Sequence, residues 1–508
     1  MEGVMERFSN YEYLHRSRQI GVWSPQIISN VVLQILQKLR PINTVRHELD
    51  VMVKFISHIS LVEANWLSIV SSVMRIMPND IYTMKAIVII MRALPSPQLT
   101  TLSTLLHDRF RVTCARAVAA DFVIRVEMNI CIVLNCLAEK LAGNGSTQIF
   151  TYDVCGYLCH IFLNTKGHND QELQMRALLA LEKFSIMADN KMLIVNALSL
   201  QGKSYLSDLE IYLRHNAGQY AIRREFLFCV RWALDNIFLK PGRQLSFRTV
   251  NLSPINGLLK NDSGNIFIKY SPDLAEIRND TIWSQTLHGT CEVDKNIWFY
   301  EVTLVTNGAI TVGWATTGAD KNRPVGWDEL SVGYDGRRRV LWHCGAAYSI
   351  PMGSWRPGDV IGCLLNITKR RVIFYMNGRE TSVSSHDFFT DNKNSRTFFP
   401  AITMSAFQQC RVNLGREQFR CPPEAVYYST PSTVGHLTPQ QRMIYGMPRH
   451  AMQQQQATYN ASEDACDICC DLVADVTLHP CGHRTLCFAC SMKIVSCPVC
   501  RAIIKERR

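Results

Sequence analysis

The sequence predicts a multidomain fold with three parts: an all-α N-terminal region, an all-β sandwich in the centre and a small metal-stabilised module at the C-terminus. Three observations predict it. Apolar residues recur at helical spacing from about residue 30 to residue 240. Short β-branched and aromatic runs separated by turn residues follow, up to residue 421. Eight of the 19 cysteines then lie between Cys466 and Cys500.

The composition of the 508 residues is that of a globular protein. Apolar residues make up 47% and charged residues 19%, which excludes wholesale disorder. The formal net charge of +11 is small for this length and gives no argument for a nucleic-acid partner. No secretory signal is visible, and no apolar run reaches the roughly 18 residues of a membrane span. We therefore predict an intracellular protein with reduced thiols and no membrane partner, in the cytoplasm first and in the nucleus as second choice.

The N-terminal part divides into a leader and a helical domain. Residues 1–29 are polar and aromatic without a clear period, and we expect them to be poorly structured. The helical domain is predicted over residues 30–240. Its first helix is indicated by Val31, Ile35 and Leu39, which share one helix face at four-residue spacing.

A faint internal echo within the helical domain indicates a repeat. Residues 136–141 read CLAEKL and residues 179–184 read LALEKF, so the two copies begin 43 residues apart. That spacing is near the period of HEAT or armadillo repeats. A weaker third copy at residues 231–237 is more distant, and an irregular helical bundle stays open as the alternative.

The central domain is predicted over residues 241–421 as an antiparallel sandwich. Its strand-like runs are short, and two of them end at Asn-Gly pairs, Asn307-Gly308 and Asn377-Gly378, which are hairpin signals. Many short strands with turn residues between them are typical of an all-β sandwich.

Six blocks in this domain occur in an order that resembles the SPRY (B30.2-like) family. They read WFYEV, VGWA, YDG, WRPGDVIGCLLN, VIFYMNG and FFPA, and they begin at Trp298, Val312, Tyr334, Trp355, Val372 and Phe398. The resemblance implies a protein-recognition sandwich that binds a protein substrate through loops at one end. The candidate loops are residues 316–329, 337–339 and 343–348.

The segment after the sandwich, residues 422–465, is poor in charge and rich in proline and glutamine. We predict a linker with a short helix from Thr438 to Tyr445. The metal module is predicted over residues 466–501, and residues 502–508 form a tail.

The metal module contains eight cysteine and histidine residues in four close pairs. The pairs are Cys466 with Cys469, Cys481 with His483, Cys487 with Cys490, and Cys497 with Cys500. Tetrahedral zinc takes four nitrogen or sulfur ligands, so eight such residues make two closed structural sites. We therefore predict two structural zinc ions, with no open position for a catalytic water. Spacing alone leaves open which pairs share an ion.

The blocks PCGH at residues 480–483 and CPVCR at residues 497–501 resemble the RING finger family. The resemblance implies a cross-brace, in which the first and third pairs share one zinc ion and the second and fourth pairs share the other. The first ion would then have Cys466, Cys469, Cys487 and Cys490 as ligands, and the second would have Cys481, His483, Cys497 and Cys500.

The order of helical region, SPRY sandwich and RING resembles the RING finger and SPRY domain-containing protein family, which are RING-type ubiquitin ligases. The resemblance implies transfer of ubiquitin from a conjugating enzyme to a lysine of a substrate that the SPRY domain, with or without the helical domain, recruits. The RING would position the charged conjugating enzyme and carry no covalent intermediate. Ile468 and Pro498 match the family's apolar docking positions. Arg501 matches the basic residue that contacts both the conjugating enzyme and ubiquitin, a task that suits a guanidinium.

Two other hypotheses are weaker. Many RINGs carry a tryptophan before the last cysteine pair, and residues 491–496 contain none, which favours a non-enzymatic interaction scaffold. RNA binding through the basic runs at residues 337–339 and 369–371 would call for interleaved stacking aromatics, which the sequence does not show. We expect no nucleic-acid partner.

Overall fold

The computed structural model divides the chain into two compact units, residues 206–464 and residues 1–205 with 465–508. No described helix has both the length and the apolar character needed to cross a membrane. The described residues are 21–39, 46–76, 81–110, 120–141, 143–164, 171–199, 205–216, 221–261, 268–320, 323–351, 353–381, 387–389, 397–424, 426–448, 451, 466–468, 473–492, 494, 497–500 and 502–508.

The N-terminal region is helical wherever it is described, as the apolar spacing predicts. Val31, Ile35 and Leu39 are all buried on one face of the first helix. The helices are Pro25–Leu39 (α1), Arg46–Ile59 (α2), Glu63–Met74 (α3), Ile81–Ala93 (α4), Leu99–Phe110 (α5), Ala120–Lys140 (α6), Asn144–Ile149 (α7), Tyr152–Asn164 (α8), Gln171–Phe184 (α9), Ala188–Ser199 (α10), Tyr205–Asn216 (α11) and Ala221–Asn236 (α12). Residues 1–20 of the predicted leader lie outside the described residues, and α1 begins within its last five.

The first two copies of the internal echo lie on helices α6 and α9, which pack against each other. Glu139 of the first copy and Lys183 of the second form a buried ion pair. A buried charge is tolerated when its partner is also held in place. The ion pair therefore joins the glutamate of the first copy to the lysine of the second copy and helps to hold α6 against α9.

A second repeated device in the helical region involves two buried asparagines, Asn65 and Asn190. Each lies in the first turn of its helix, and its Nδ2 donates to the carbonyl of the residue that ends the preceding helix. The acceptors are Ile59 at 3.0 Å and Phe184 at 3.2 Å, each six residues earlier. The two asparagines are 125 residues apart and make the same contact in two different helix pairs.

We expect Asn190→Ala to lower the free energy of unfolding of the helical region by about 1–3 kcal/mol, because it removes a buried side-chain donor from the Phe184 carbonyl, which then keeps only the N–H of Met187. Asn196→Ala is the matched control, since Asn196 is exposed on the same helix. Hydrogen exchange of the α9 and α10 amides in the full chain measures both variants. Equal protection in the two variants would contradict a structural role for Asn190.

The central domain consists of two antiparallel seven-stranded sheets. The strand order is β1-β4-β13-β6-β7-β8-β9 in one sheet and β12-β11-β10-β5-β14-β3-β2 in the other. The strands are Leu259–Lys260 (β1), Ile268–Tyr270 (β2), Glu276–Asn279 (β3), Gln285–Gly289 (β4), Ile297–Leu304 (β5), Ile310–Thr316 (β6), Ser331–Asp335 (β7), Val340–His343 (β8), Ala346–Ser349 (β9), Val360–Asn366 (β10), Arg371–Met376 (β11), Arg379–Glu380 (β12), Phe398–Met404 (β13) and Gln408–Asn413 (β14).

The aromatic residues of the sequence blocks form the core between the sheets. Trp314, Tyr300 and Tyr334 are fully buried there, and the ring centroids of Tyr300 and Trp314 lie 5.2 Å apart in an edge arrangement. The Tyr300 hydroxyl donates to the Gly313 carbonyl at 2.6 Å, which satisfies a buried polar group. The predicted sandwich is confirmed, and these aromatics are packing residues.

The two Asn-Gly pairs have different outcomes. Asn377-Gly378 joins β11 and β12 in a hairpin, and both residues have positive φ, as a type I′ turn requires. The hairpin predicted at Asn307-Gly308 is wrong, because β5 and β6 belong to different sheets. Gly308 is instead a close-approach position: its N–H donates to Gln408 Oε1 at 2.6 Å, and a Cβ would lie 2.0 Å from Gln408 Cδ.

Helix α12, which the sequence places in the helical domain, packs against the second sheet. Arg278 of β3 is fully buried and pairs with Glu225 of α12 at 2.7 Å and with Asp280 at 2.6 Å. Asp280 also pairs with the buried Lys269 at 2.6 Å, and the Lys269 ammonium lies 4.2 Å from the centroid of the Trp232 ring. Because each buried charge has an opposite partner, the helix and the sheet are held in one arrangement.

The predicted linker also contacts the sandwich over its described part. The helix predicted from Thr438 is present as Pro439–Gly446 (α13), with a capping box between Thr438 and Gln441. Arg442 donates to the Ile255 carbonyl at 2.6 Å. Backbone bonds join Ser429 to β5. Residues 426–447 are therefore part of the folded unit rather than a free tether.

Candidate metal centre at the C-terminus

Short elements position the predicted ligands. They are Leu478–His479 (β15), Phe488–Ser491 (α14) and Glu506–Arg507 (β16). The chain reverses at Gly482, whose φ of 74° favours glycine, and its N–H donates to the Leu478 carbonyl at 2.7 Å. Cys487 caps α14, and its Sγ accepts the N–H of Cys490 at 3.4 Å. These turns bring the ligand atoms together within the second pair and within the third pair.

One cluster joins the second and fourth ligand pairs. The ligand atoms of Cys481, His483, Cys497 and Cys500 all lie within 4.8 Å of one another. Cys497 Sγ is 3.6 Å from His483 Nδ1. Tetrahedral zinc with Zn–S near 2.3 Å and Zn–N near 2.0–2.1 Å separates such ligands by about 3.6 Å. The three sulfurs and one nitrogen therefore fit a zinc ion.

The other cluster joins members of the first and third pairs. The sulfurs of Cys466, Cys487 and Cys490 lie within 4.8 Å of one another, and all three residues are buried. Cys469, the fourth predicted ligand, lies outside the described residues. A sequential arrangement would group Cys466 with Cys481 instead. The clusters therefore alternate along the chain, as a cross-brace requires.

Hydrogen bonds and burial act in opposite directions on the pKa values of the thiols in the four-ligand cluster. Burial by itself raises the pKa of Cys497, but N–H groups of Cys500 and Val499 and the neighbouring thiols hold that pKa below its ordinary value. The His483 N–H acts in the same direction on Cys481, but burial and the thiols of Cys497 and Cys500 raise the pKa of Cys481 above its ordinary value. The two thiols therefore differ in the direction of their pKa shifts, and a zinc ion would bind both as thiolates.

The residues predicted to contact a conjugating enzyme differ in how far their side chains are exposed to solvent. Ile468 is only 2% exposed, so it offers almost no surface to a partner. Pro498 is half-buried, and Arg501 lies outside the described residues.

The module exposes several apolar side chains that were not predicted from the sequence as contact residues. The large ones on the described part of the module are Val473, Phe488, Met492, Val499 and Ile503. Phe488 is 45% exposed and Val499 is 52% exposed. For these two residues the available signal was their position next to the ligand cysteines Cys487 and Cys500, because a module of this size has little core to receive them.

The predicted binding loops of the sandwich are partly constrained. Arg337 donates to Asn307 at 2.8 Å, and Arg338 pairs with Asp335 at 3.3 Å. In the 316–329 loop, Asp328 accepts bonds from Asp320, Leu330 and Ser331. The 343–348 loop is a hairpin whose outer strand, β9, is exposed at every residue. This hairpin presents Tyr348 with 54% of its surface exposed.

Comparison with known families gives two matches. Residues 297–417 match the SPRY domain family, and residues 462–507 match the zinc finger, C3HC4 type (RING finger) family. The first match lies within the sandwich, and the second covers both ligand clusters. The zinc finger match and the donor sets agree in chemistry, and both fit zinc.

Similar proteins share only part of this chain. The E3 ubiquitin-protein ligase RKP of Arabidopsis thaliana is 36% identical over 134 residues, which are 25% of this chain and 10% of that protein. Ran-binding protein 9 of Xenopus laevis is 28% identical over 138 residues, which are 25% of this chain and 23% of that protein. The crystal structure of the SPRY domain of human HERC1 is 14% identical, with a TM-score of 0.24, over 28% of this chain and 91% of that one.

The chain thus spans about a tenth of RKP and less than a quarter of Ran-binding protein 9. The domains are assigned on the family matches, the two sheets and the ligand clusters. The chain is a RING and SPRY domain protein, with the SPRY domain in its central sandwich and the RING-type zinc finger at its C-terminus.

Proposed function

We propose that this protein is a RING-type E3 ubiquitin ligase. The observation that carries the proposal is the alternating pair of ligand clusters within a RING-type match. The similarity to a protein named E3 ubiquitin-protein ligase RKP supports it. The reaction is transfer of ubiquitin from the thioester of a conjugating enzyme to a substrate lysine.

We further propose two structural zinc ions. Cys466, Cys469, Cys487 and Cys490 hold one, and Cys481, His483, Cys497 and Cys500 hold the other. When bound, the ions supply cross-links rather than Lewis-acid chemistry, because four protein donors leave no coordination position for a reactant. Zinc thiolates require reduced cysteines, which agrees with an intracellular location.

The contribution of the RING in this proposal is positioning. It holds the charged conjugating enzyme so that the thioester and the attacking amine meet in a productive arrangement. Pro498, with the exposed Val499 beside it, forms the apolar docking surface. Arg501 donates to both the enzyme and ubiquitin, as its five N–H groups allow. Ile468 supports the first ligand pair from within, since its side chain is buried.

Substrate selection belongs to the SPRY sandwich in this proposal. Strand β9 of the β8–β9 hairpin, which carries Tyr348, is exposed at every residue and is the best-presented part of the three predicted loops. Exposed aromatic residues on rigid elements are typical anchors of protein interfaces. The helical domain acts as a second recruiting surface.

The test is reconstitution from purified components. The full-length protein, activating enzyme, a panel of conjugating enzymes, ATP and ubiquitin are expected to form ubiquitin chains or to modify the protein itself. If the zinc-loaded protein transfers no ubiquitin with any conjugating enzyme of the panel, the result would favour the interaction scaffold instead. The absence of a tryptophan from residues 491–496 also favours the scaffold.

Within this assay, we expect Arg501→Ala to reduce transfer about 10- to 100-fold, because a hydrogen bond from a charged donor is worth about 1.5–3 kcal/mol. Arg508→Ala is the matched control. Arg508 is an exposed arginine of the same module, and its described side-chain partner is Glu506 at 3.0 Å. Equal rates for the two variants would remove Arg501 from the mechanism while leaving the ligase proposal in place.

A further inference from the structure

Residues 502–508, predicted as a tail, are built into the metal module. The Ala502 carbonyl accepts the N–H of Cys497 at 2.8 Å, and Lys505 N–H donates to His479 at 2.8 Å. Strand β16 pairs antiparallel with β15, in the register Leu478 to Arg507 and His479 to Glu506. The segment therefore makes two contacts with the rest of the module. One is with the strand immediately before the second ligand pair, and the other is with Cys497 of the fourth pair.

The side chain of Arg507 contacts the chain between the third and fourth ligand pairs. Its Nε donates to the Ser491 carbonyl at 2.9 Å, and its Nη2 donates to the Ile494 carbonyl at 2.7 Å. Ser491 ends helix α14, where carbonyls lose their helical partners. Ile494 is buried and lies three residues before Cys497. A planar guanidinium can bridge the two carbonyls in a way that a lysine ammonium cannot.

These contacts place one side chain across the module. The backbone of Arg507 is fixed to the strand that leads into Cys481, and its guanidinium is fixed to the connection between Cys490 and Cys497. That connection runs directly into Pro498 and Val499, the docking surface of the proposed function. The predicted zinc ligands Cys490 and Cys497 lie at the two ends of this connection, and Arg507 contacts it at Ser491 and Ile494.

We propose that Arg507 is a positioning residue of the RING, which fixes the carbonyls of Ser491 and Ile494 and thereby orders the docking surface at residues 498–499 for the conjugating enzyme. The inference rests on the proposed ligase function. Without the Arg507 contacts, the chain between Cys490 and Cys497 would have to become ordered when the conjugating enzyme binds. The entropy lost in this ordering weakens binding more than it slows the transfer step.

The kinetic test is single-turnover discharge of a ubiquitin-charged conjugating enzyme by the full-length protein, with the concentration of the conjugating enzyme varied. Arg507→Ala is expected to raise the half-saturating concentration about tenfold, the value of one charge-assisted hydrogen bond, with a near-unchanged rate at saturation. Arg507→Lys is expected to lie between wild type and Arg507→Ala. Arg508→Ala is the matched control and is expected to behave as wild type.

Two further readouts separate positioning from folding. Zinc content is expected to be equal in wild type, Arg507→Ala and Arg508→Ala. Amide hydrogen exchange over residues 488–500 is expected to accelerate in Arg507→Ala alone. Wild-type saturation behaviour in Arg507→Ala, or loss of zinc from it, would overturn the inference. A wild-type protein that discharges no conjugating enzyme would overturn the ligase proposal, and the inference with it, so the two failures are distinguishable.

Discussion

Replacing Cys481 with alanine is expected to unfold the C-terminal module while the sandwich stays folded. Ligand atoms of the second and fourth pairs meet in one cluster, so losing one sulfur opens a closed site. Structural zinc contributes about 10–16 kcal/mol of binding free energy, which is also folding free energy. A module of about 40 residues has no core that can replace it. Cys481 is half-buried, so the loss comes from the metal site rather than from packing.

The measurement is zinc content together with hydrogen exchange in the full-length protein. We expect Cys481→Ala to lose bound zinc and the protection of residues 476–500, whereas strands β5 and β10 keep theirs. Cys344→Ala is the control, because Cys344 is an exposed cysteine in the sandwich and lies outside both clusters. Retention of wild-type zinc content and protection by Cys481→Ala would show that the four-residue cluster is not a metal site.

Replacing Arg278 with methionine is expected to destabilise the unit formed by residues 206–464 by about 3–5 kcal/mol, the usual cost of removing one partner from a buried ion pair. The change leaves Glu225 without its charged partner in the interface between α12 and the sheet. Burial lowers the pKa of Arg278, but Asp280, Cys229 and Glu225 outweigh it and hold that pKa above its ordinary value. The guanidinium therefore stays charged, and its removal is not relieved by deprotonation.

The matched control is Arg224→Met. Arg224 pairs with Glu276 at 3.1 Å in the same interface but is 43% exposed. Pairs of this kind contribute about 0–1 kcal/mol. Exchange free energies of the β3 and β14 amides in the full chain compare the two variants. Equal losses would mean that the buried cluster does not hold α12 on the sandwich.

The metal centre was predictable because its signal is local. Ligands two or three residues apart must share a turn, so the pairs are visible in the sequence. The grouping of the pairs is not visible in their spacing, because Cys481 and Cys497 come together only through the fold, and it could be predicted only from the resemblance to RING fingers. The same limit hid the docking of α12, since Glu225 and Arg278 are 53 residues apart and each reads as a solvated charge.

Other features carried signals with more than one meaning. Asn307-Gly308 has the residues of a tight hairpin, but the glycine serves the close approach of Gln408. Ile468 occupies a position typical of docking, but its burial depends on packing that no spacing reveals. The contacts of Arg507 could not be predicted from the sequence, because its acceptors are backbone carbonyls, which every residue has.

The most direct test of the proposed ligase function is discharge of a purified ubiquitin-charged conjugating enzyme onto free lysine. It needs neither a substrate nor a SPRY ligand, so it isolates the positioning role of the RING. We expect the zinc-loaded full-length protein to accelerate loss of the thioester, and we expect Cys481→Ala not to do so. A zinc-loaded, folded protein that leaves the thioester lifetime unchanged with every conjugating enzyme in the panel would contradict it.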